Sequence, residues 1–329
     1  MILARNTAAI IAAASAMLFG LRVEATQQLL LVGYPVETSL TDATNENNWQ
    51  VEVTTTTSPQ NFICSFMSPS SLHVEWGDLT TNEFAASITN THSYAAAGTY
   101  TIRMSGHAHA INFYQYPGLG TPDLLSAIKT PIRGVDGMTT AAEMFKEGHN
   151  ITSFPQGLFD NCPGITSFYD AFLECIKVTS FPSNLFAFQT NVTSFYAVFD
   201  QCEKLTNIQA NVFSGHTNVT LASWAFAKCY KLASIPSGIY DNFRLNTSFE
   251  YVHYHNFALT SLPALLFDKT TNVTSYVNAF HGCTNLTGAT PTNSAGLKLW
   301  ELSPVPTGTA CFSECTGLSD YADIPAGWK

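Results

Sequence analysis

From residue 138 onward, apolar and polar positions recur every 27 residues. Cys175, Cys202 and Cys229 stand 27 apart, and Cys283 lies two periods beyond Cys229. Phe172, Phe199, Phe226 and Phe280 each precede one of these cysteines by three, and His253 and Asn256 fill the skipped copy. One half of the unit reads ITSFPQGLFDNCPG from Ile151 and recurs from Val178, Leu205, Leu232 and Leu259. The other reads ITSFYDAFLECIK from Ile165 and recurs from Val192, Val219, Asn246 and Val273, with a weaker copy from Met138. The register holds without insertion from 138 to 285. A copy displaced by five carries Phe312 and Cys315 after an irregular stretch, 288–309. A unit of this length cannot bury its own apolar side, so neighbours are expected to stack around a shared core. The β-branched and aromatic stretches predict short extended segments, ended by Pro155, Pro182, Pro236 and Pro263. Ala-Phe-x-x-Cys predicts one short helical turn per unit. The inward columns are expected to be Phe154/Phe181/Ile208/Ile235/Leu262, Phe159/Phe186/Phe213/Tyr240/Phe267 and Phe172/Phe199/Phe226/Phe280.

The chain before residue 138 lacks this period. Arg5, the apolar run Ala8–Leu21 and Val23-Glu24-Ala25 predict a signal peptide over residues 1–25. Thr-rich alternation over 26–110 predicts a β-sandwich. Pro117, Gly118, Gly120 and Pro122 mark 111–137 as a linker, with Leu124–Ile128 capping the first repeat.

Two resemblances follow from these motifs. The unit LTSLP-x2-LF-x4-NVTSY-x2-AF-x2-C resembles the BspA-type leucine-rich repeat of bacterial surface proteins and covers 138–329. Val74-Glu75-Trp76-Gly77-Asp78, His92-Ser93-Tyr94 and Gly98-Thr99-Tyr100-Thr101-Ile102 resemble a PKD-type immunoglobulin-like domain, with Leu79 where that family often has Gly. The expected fold is therefore of mixed class. It comprises an N-terminal β-sandwich, PKD/immunoglobulin-like, followed by a leucine-rich-repeat solenoid of about seven 27-residue coils. The resemblances imply a secreted or cell-surface location, with a binding or adhesive role rather than a reaction.

Composition narrows the function classes. Only 12% of the 329 residues are charged, with 14 basic against 24 acidic, a net charge of -10. Clustered Lys and Arg are lacking, which excludes a general nucleic-acid binder. The 23 Phe exclude intrinsic disorder. No later stretch is apolar for long enough to span a membrane once the signal is removed.

Catalytic patterns are missing: no G-x-S-x-G, no Cys with a supporting His motif, no phosphate-cradling Gly loop. No enzyme activity, no cofactor and no metal are expected. Five of the eight Cys hold equivalent repeat positions, which favours packed thiols over bridges between coils or a metal. His107 and His109 alternate as on one face of a strand, without a third ligand nearby. Asn150, Asn191, Asn218, Asn246, Asn272 and Asn285 match the glycosylation acceptor pattern. Thr139, Thr166, Thr193, Thr220, Thr247 and Thr274 form a hydroxyl column. Aromatics off the core register, Tyr169, Tyr196, Trp224 and Tyr251, are the candidate ligand-binding residues. The expected function is exported or cell-surface binding or adhesion, with a protein or glycan ligand on a host or neighbouring cell. The rival readings are a structural component of a surface layer, appendage or phage particle, and, behind it, an extracellular polymer-acting enzyme.

Overall fold

The computed structural model describes residues 47–114 and 124–329. The expected signal peptide, 1–25, lies outside the described residues. Asn47–Lys329 forms one compact unit.

Its regular secondary structure is almost entirely sheet. The strands are β1 (Trp49–Thr55), β2 (Gln60–Met67), β3 (Leu72–Glu75), β4 (Thr81–Phe84), β5 (Ile88–Tyr94), β6 (Gly98–His107), β7 (Ala110–Asn112), β8 (Leu125–Ile128) and β9 (Val135–Asp136). One antiparallel sheet runs β4-β3-β6-β1-β8, with β9 pairing β6 in parallel; the other runs β5-β2-β7. Strict alternation builds β1: Trp49, Val51, Val53 and Thr55 are buried while the residues between them are half-exposed. Within Leu124–Ile128, the stretch expected to cap the repeats, Leu125–Ile128 forms β8 at a sheet edge, with Val51 opposite Ile128.

The Trp-Gly-Asp, His-x-Tyr and Gly-x-Tyr motifs converge. The Tyr94 hydroxyl donates to the Trp76 carbonyl at 2.9 Å, and the Trp76 indole N–H donates to Asn82 Oδ1 at 2.7 Å. His92 stacks on Trp76 with ring centroids 4.5 Å apart. Gly77 is required between them: at φ +86° its added Cβ would sit 2.7 Å from the Thr101 carbonyl oxygen.

Beyond β9 the chain is a succession of hydrogen-bonded turns tied to residues about one period away. Thr166 N–H donates to the Thr139 carbonyl, Thr193 to Thr166, and Thr220 to Thr193, at 2.8–2.9 Å. Each threonine hydroxyl donates to the same carbonyl, at 3.3, 3.3 and 3.2 Å. The core columns are filled by aromatics in contact from turn to turn: Phe145 on Phe172, Phe172 on Phe199, and Phe199 on Phe226, at 5.6, 5.6 and 5.3 Å. Ile208 and Leu262 are only partly buried. Trp49 meets Phe145 edge-on at 6.4 Å, so this core continues into that of the sheets.

The expected mixed class, a PKD/immunoglobulin-like sandwich followed by a leucine-rich-repeat solenoid, is corrected by this architecture. The described residues contain no α-helix; Leu299–Glu301, Tyr321–Asp323 and Ala326–Trp328 are short 3-10 turns. No strand of the repeat survives past Asp136, and extended pairing shrinks to isolated bridges such as Ser167↔Ser194 and Ser248↔Ser275. The cause is backbone conformation. Asp170, Ala197, Trp224, Tyr251 and Asn278 all have φ between 47° and 62°, and Glu174, Gln201, Lys228 and His255 between 52° and 61°. A left-handed residue every fourth position breaks a helix. The freed N–H groups bond across to the next unit: Asp170 to the Tyr196 carbonyl, Phe172 to Val198, and Glu174 to Asp200.

Candidate binding surface

The same left-handed positions carry aromatic side chains to the surface. Trp224 and Tyr251 (φ 62° and 57°) stand one period apart and stack with centroids 4.0 Å apart and planes 9° from parallel. Tyr169 and Tyr196 occupy the preceding position and stack at 4.9 Å and 6°. Tyr169 is 41% exposed; Tyr196, Trp224 and Tyr251 are half-buried. The four candidates therefore form two face-to-face pairs, and no ring contact joins the pairs among the described residues. Consecutive units with an aromatic at one position stack those rings as a consequence of the period.

The second pair is larger than sequence reasoning found. Tyr254 lies 5.3 Å from Tyr251 and 5.9 Å from Trp224, and stacks on His255 at 3.9 Å and on His281 at 5.2 Å. Tyr230 stacks on Phe257 at 5.2 Å. The signal that could have located them is the spacing already in use, since 254 and 281, and 230 and 257, are one period apart. His255 is half-buried because Gly282 lets its ring lie flat; a Cβ there would be 2.1 Å from His255 Cδ2.

Charge collects around the first pair. Lys146 Nζ lies 3.1 Å from Asp170 Oδ2 and 3.2 Å from Glu143 Oε1, and 4.5 Å over the Tyr114 ring. Burial pulls the Lys146 ammonium pKa down, but the two carboxylates outweigh it and hold the pKa above its ordinary value. Burial raises the Tyr196 hydroxyl pKa, and Tyr169, Asp170, Asp200 and Glu250 push it the same way. Asp200 is pushed up to about 7 by burial, with Lys228 opposing and Asp170 and Glu174 reinforcing. Its Oδ1 meets no hydrogen-bond donor.

The remaining candidates resolve differently. All eight cysteines are free and buried. Cys175, Cys202 and Cys229 donate S–H to the carbonyls of Phe145, Phe172 and Phe199, at 3.3, 3.3 and 3.2 Å. His107 Nδ1 pairs with Asp136 at 2.6 Å, and the His109 ring lies 5.7 Å away. Among the described residues no three His, Cys, Asp or Glu side chains are placed to hold a metal ion. Asn191, Asn218, Asn272 and Asn285 are exposed, whereas Asn246 is fully buried. A polar cleft of about 680 Å³ lies elsewhere, lined by Arg133, Asp136, Gln156, Asp160 and Asn161 among others. No helix among the described residues is long and apolar enough to cross a membrane.

No protein-family model matches this chain, and no curated protein matches it significantly. Among solved structures it is similar to a chain of the TLR13–ssRNA13 complex, at 12% identity and a TM-score of 0.21. The match covers 60% of this chain and 36% of that one. An overlap of that quality defines no common fold and establishes neither a BspA-type nor a PKD-type relationship.

Proposed function

We propose that this protein is an exported or cell-surface binding protein that recognises a protein or glycan ligand through the face carrying Tyr169, Tyr196, Trp224 and Tyr251. One observation carries the reading: two parallel aromatic pairs stand outside core columns that Phe already fills. Rings with one polar end and an apolar body suit contact surfaces. Equivalent positions along a repeat let weak contacts add. The resemblance of the repeated unit to bacterial surface proteins supports the location. The test is a glycan and matrix-protein array probed with the secreted full chain. A ligand is expected whose affinity falls at least about tenfold when Tyr169→Ala and Tyr196→Ala are combined. Unchanged binding of every array ligand by that variant would reject this face.

A further inference from the structure

We infer that the polar cleft between residues 131–136 and 156–161 is a second binding site, one that takes a neutral saccharide. It is separate from the aromatic face and does not rest on it. Its two walls are tied together. The Ile132 N–H donates to the Leu158 carbonyl at 2.9 Å, and Asn161 Nδ2 donates to the Ile132 carbonyl at 3.0 Å. The space between the walls, about 680 Å³, falls in the size range of small-molecule sites, roughly 300–1,000 Å³.

The walls carry hydrogen-bonding capacity that the fold does not use. Arg133 and Asp160 are exposed, and their side chains have no hydrogen-bond or ion-pair partner among the described residues. The Asp160 N–H donates to the Gly157 carbonyl at 3.0 Å, a turn that presents the carboxylate at the cleft. Gln156 Nε2 donates to the Ser183 carbonyl at 2.6 Å and Asn161 Nδ2 to Ile132, which leaves both amide oxygens as acceptors. Asp136 holds His107 through Oδ1 at 2.6 Å, which leaves Oδ2.

The chemistry selects the ligand. An anion would serve Arg133 but meet two carboxylates. A cation would serve the carboxylates but meet the guanidinium. A hydroxyl donates once and accepts twice, so an uncharged ligand with adjacent hydroxyls serves both sets. Its bonds to Arg133 and Asp160 are of the stronger, charge-assisted kind. The walls are open, so these hydroxyls substitute for solvent.

The test is calorimetric titration of the full chain with lactose, maltose, cellobiose and diacetylchitobiose, beside the charged sugars sialyllactose and deacetylated chitobiose. At least one neutral disaccharide is expected to bind, at about 1 mM and at least about fivefold tighter than either charged sugar. Arg133→Ala and Asp160→Ala are each expected to weaken that binding at least about fivefold. Both should leave thermal melting unchanged, since the side chains are exposed and unpartnered. Tyr169→Ala combined with Tyr196→Ala is expected to leave saccharide affinity within about twofold. No binding of any neutral disaccharide, or binding that survives both cleft variants, overturns the site. Preference for sialyllactose or for deacetylated chitobiose overturns the neutral ligand. Saccharide binding lost with the tyrosines, and kept without Arg133 and Asp160, overturns this inference and leaves the binding reading standing. Saccharide binding lost in both cleft variants, with no array ligand sensitive to the tyrosines, does the reverse.

Discussion

The Tyr240 hydroxyl and the His253 imidazole lie 2.8 Å apart, Oη to Nε2, both sealed from solvent. Their protonation is fixed by a third residue. Asn256 Oδ1 accepts the Cys229 N–H at 3.0 Å, which turns the amide NH2 toward His253 Nδ1 at 3.1 Å. Nδ1 is therefore the acceptor, so the neutral ring carries its proton on Nε2 and donates it to Tyr240. His253 and Asn256 thus replace the Phe and Cys of the other units with a polar chain. The ring keeps the aromatic stacking, 5.6 Å from both Phe226 and Phe280.

That chain makes the fold acid-sensitive. Burial lowers the His253 pKa to about 3, whereas an unfolded histidine titrates near 6.5. Below pH 6.5 the unfolded state therefore binds a proton the folded state refuses, and stability falls as pH falls. Between pH 7.5 and 4.5 this residue is expected to cost about 2–3 kcal/mol. The combined variant His253→Phe, Asn256→Cys and Tyr240→Phe restores the apolar pattern and should lose correspondingly less on acidification. Urea unfolding of both proteins at the two pH values measures the difference.

Asp200 shifts the opposite way. Its folded pKa, raised to about 7, exceeds the unfolded value near 3.9. Its protonated form therefore supports folding below pH 4, and that support is lost as pH rises through 7. Asp200→Asn should melt near the parent protein at pH 4 and clearly above it at pH 8, by as much as about 4 kcal/mol. Thermal melts at both pH values decide it; a gap that does not widen with pH would refute the buried-acid account.

Leu79 holds a left-handed conformation, φ 73°, with its side chain fully in solvent. It gains no burial to offset that strain. Leu79→Gly removes the Cβ clash at no packing loss and should stabilise the protein by about 0.5–1 kcal/mol. A lower midpoint in denaturant would contradict this.

Thiol reactivity offers a fourth check. Burial raises the pKa of Cys64, Cys162, Cys175, Cys202, Cys229, Cys283, Cys311 and Cys315, and five of these sulfurs also donate to carbonyls of the fold. A thiol-disulfide reagent should leave the native protein unmodified and titrate eight groups after denaturation. Rapid reaction of the native form would mean that the columns open.

The period was legible because packing repeats the residue types it needs. Phe172, Phe199 and Phe226 must fill one column, and the cysteines three residues on must fit beside them. The backbone path was not legible. Trp224, Lys228, Tyr251 and His255 hold left-handed conformations that single-residue preferences assign to Gly or Asn. What holds them there is hydrogen bonding to a unit one period away, which no local window contains. The edge strand Leu125–Ile128 was missed for the same reason, since its partner is β1. Tyr169 and Tyr196 could be chosen from their shared position. The burial of Asp200 could not be read this way, because it depends on that path.

The doubled threonine contacts also bear on mechanics. Thr166, Thr193 and Thr220 each spend an amide and a hydroxyl on the same carbonyl of the preceding turn. A tether pulled along the stack would meet these clamps one after another rather than together. Each release would pay out roughly 90 Å of chain, at about 3.3–3.6 Å per residue over one period. Under load the chain is thus expected to lengthen in steps rather than all at once.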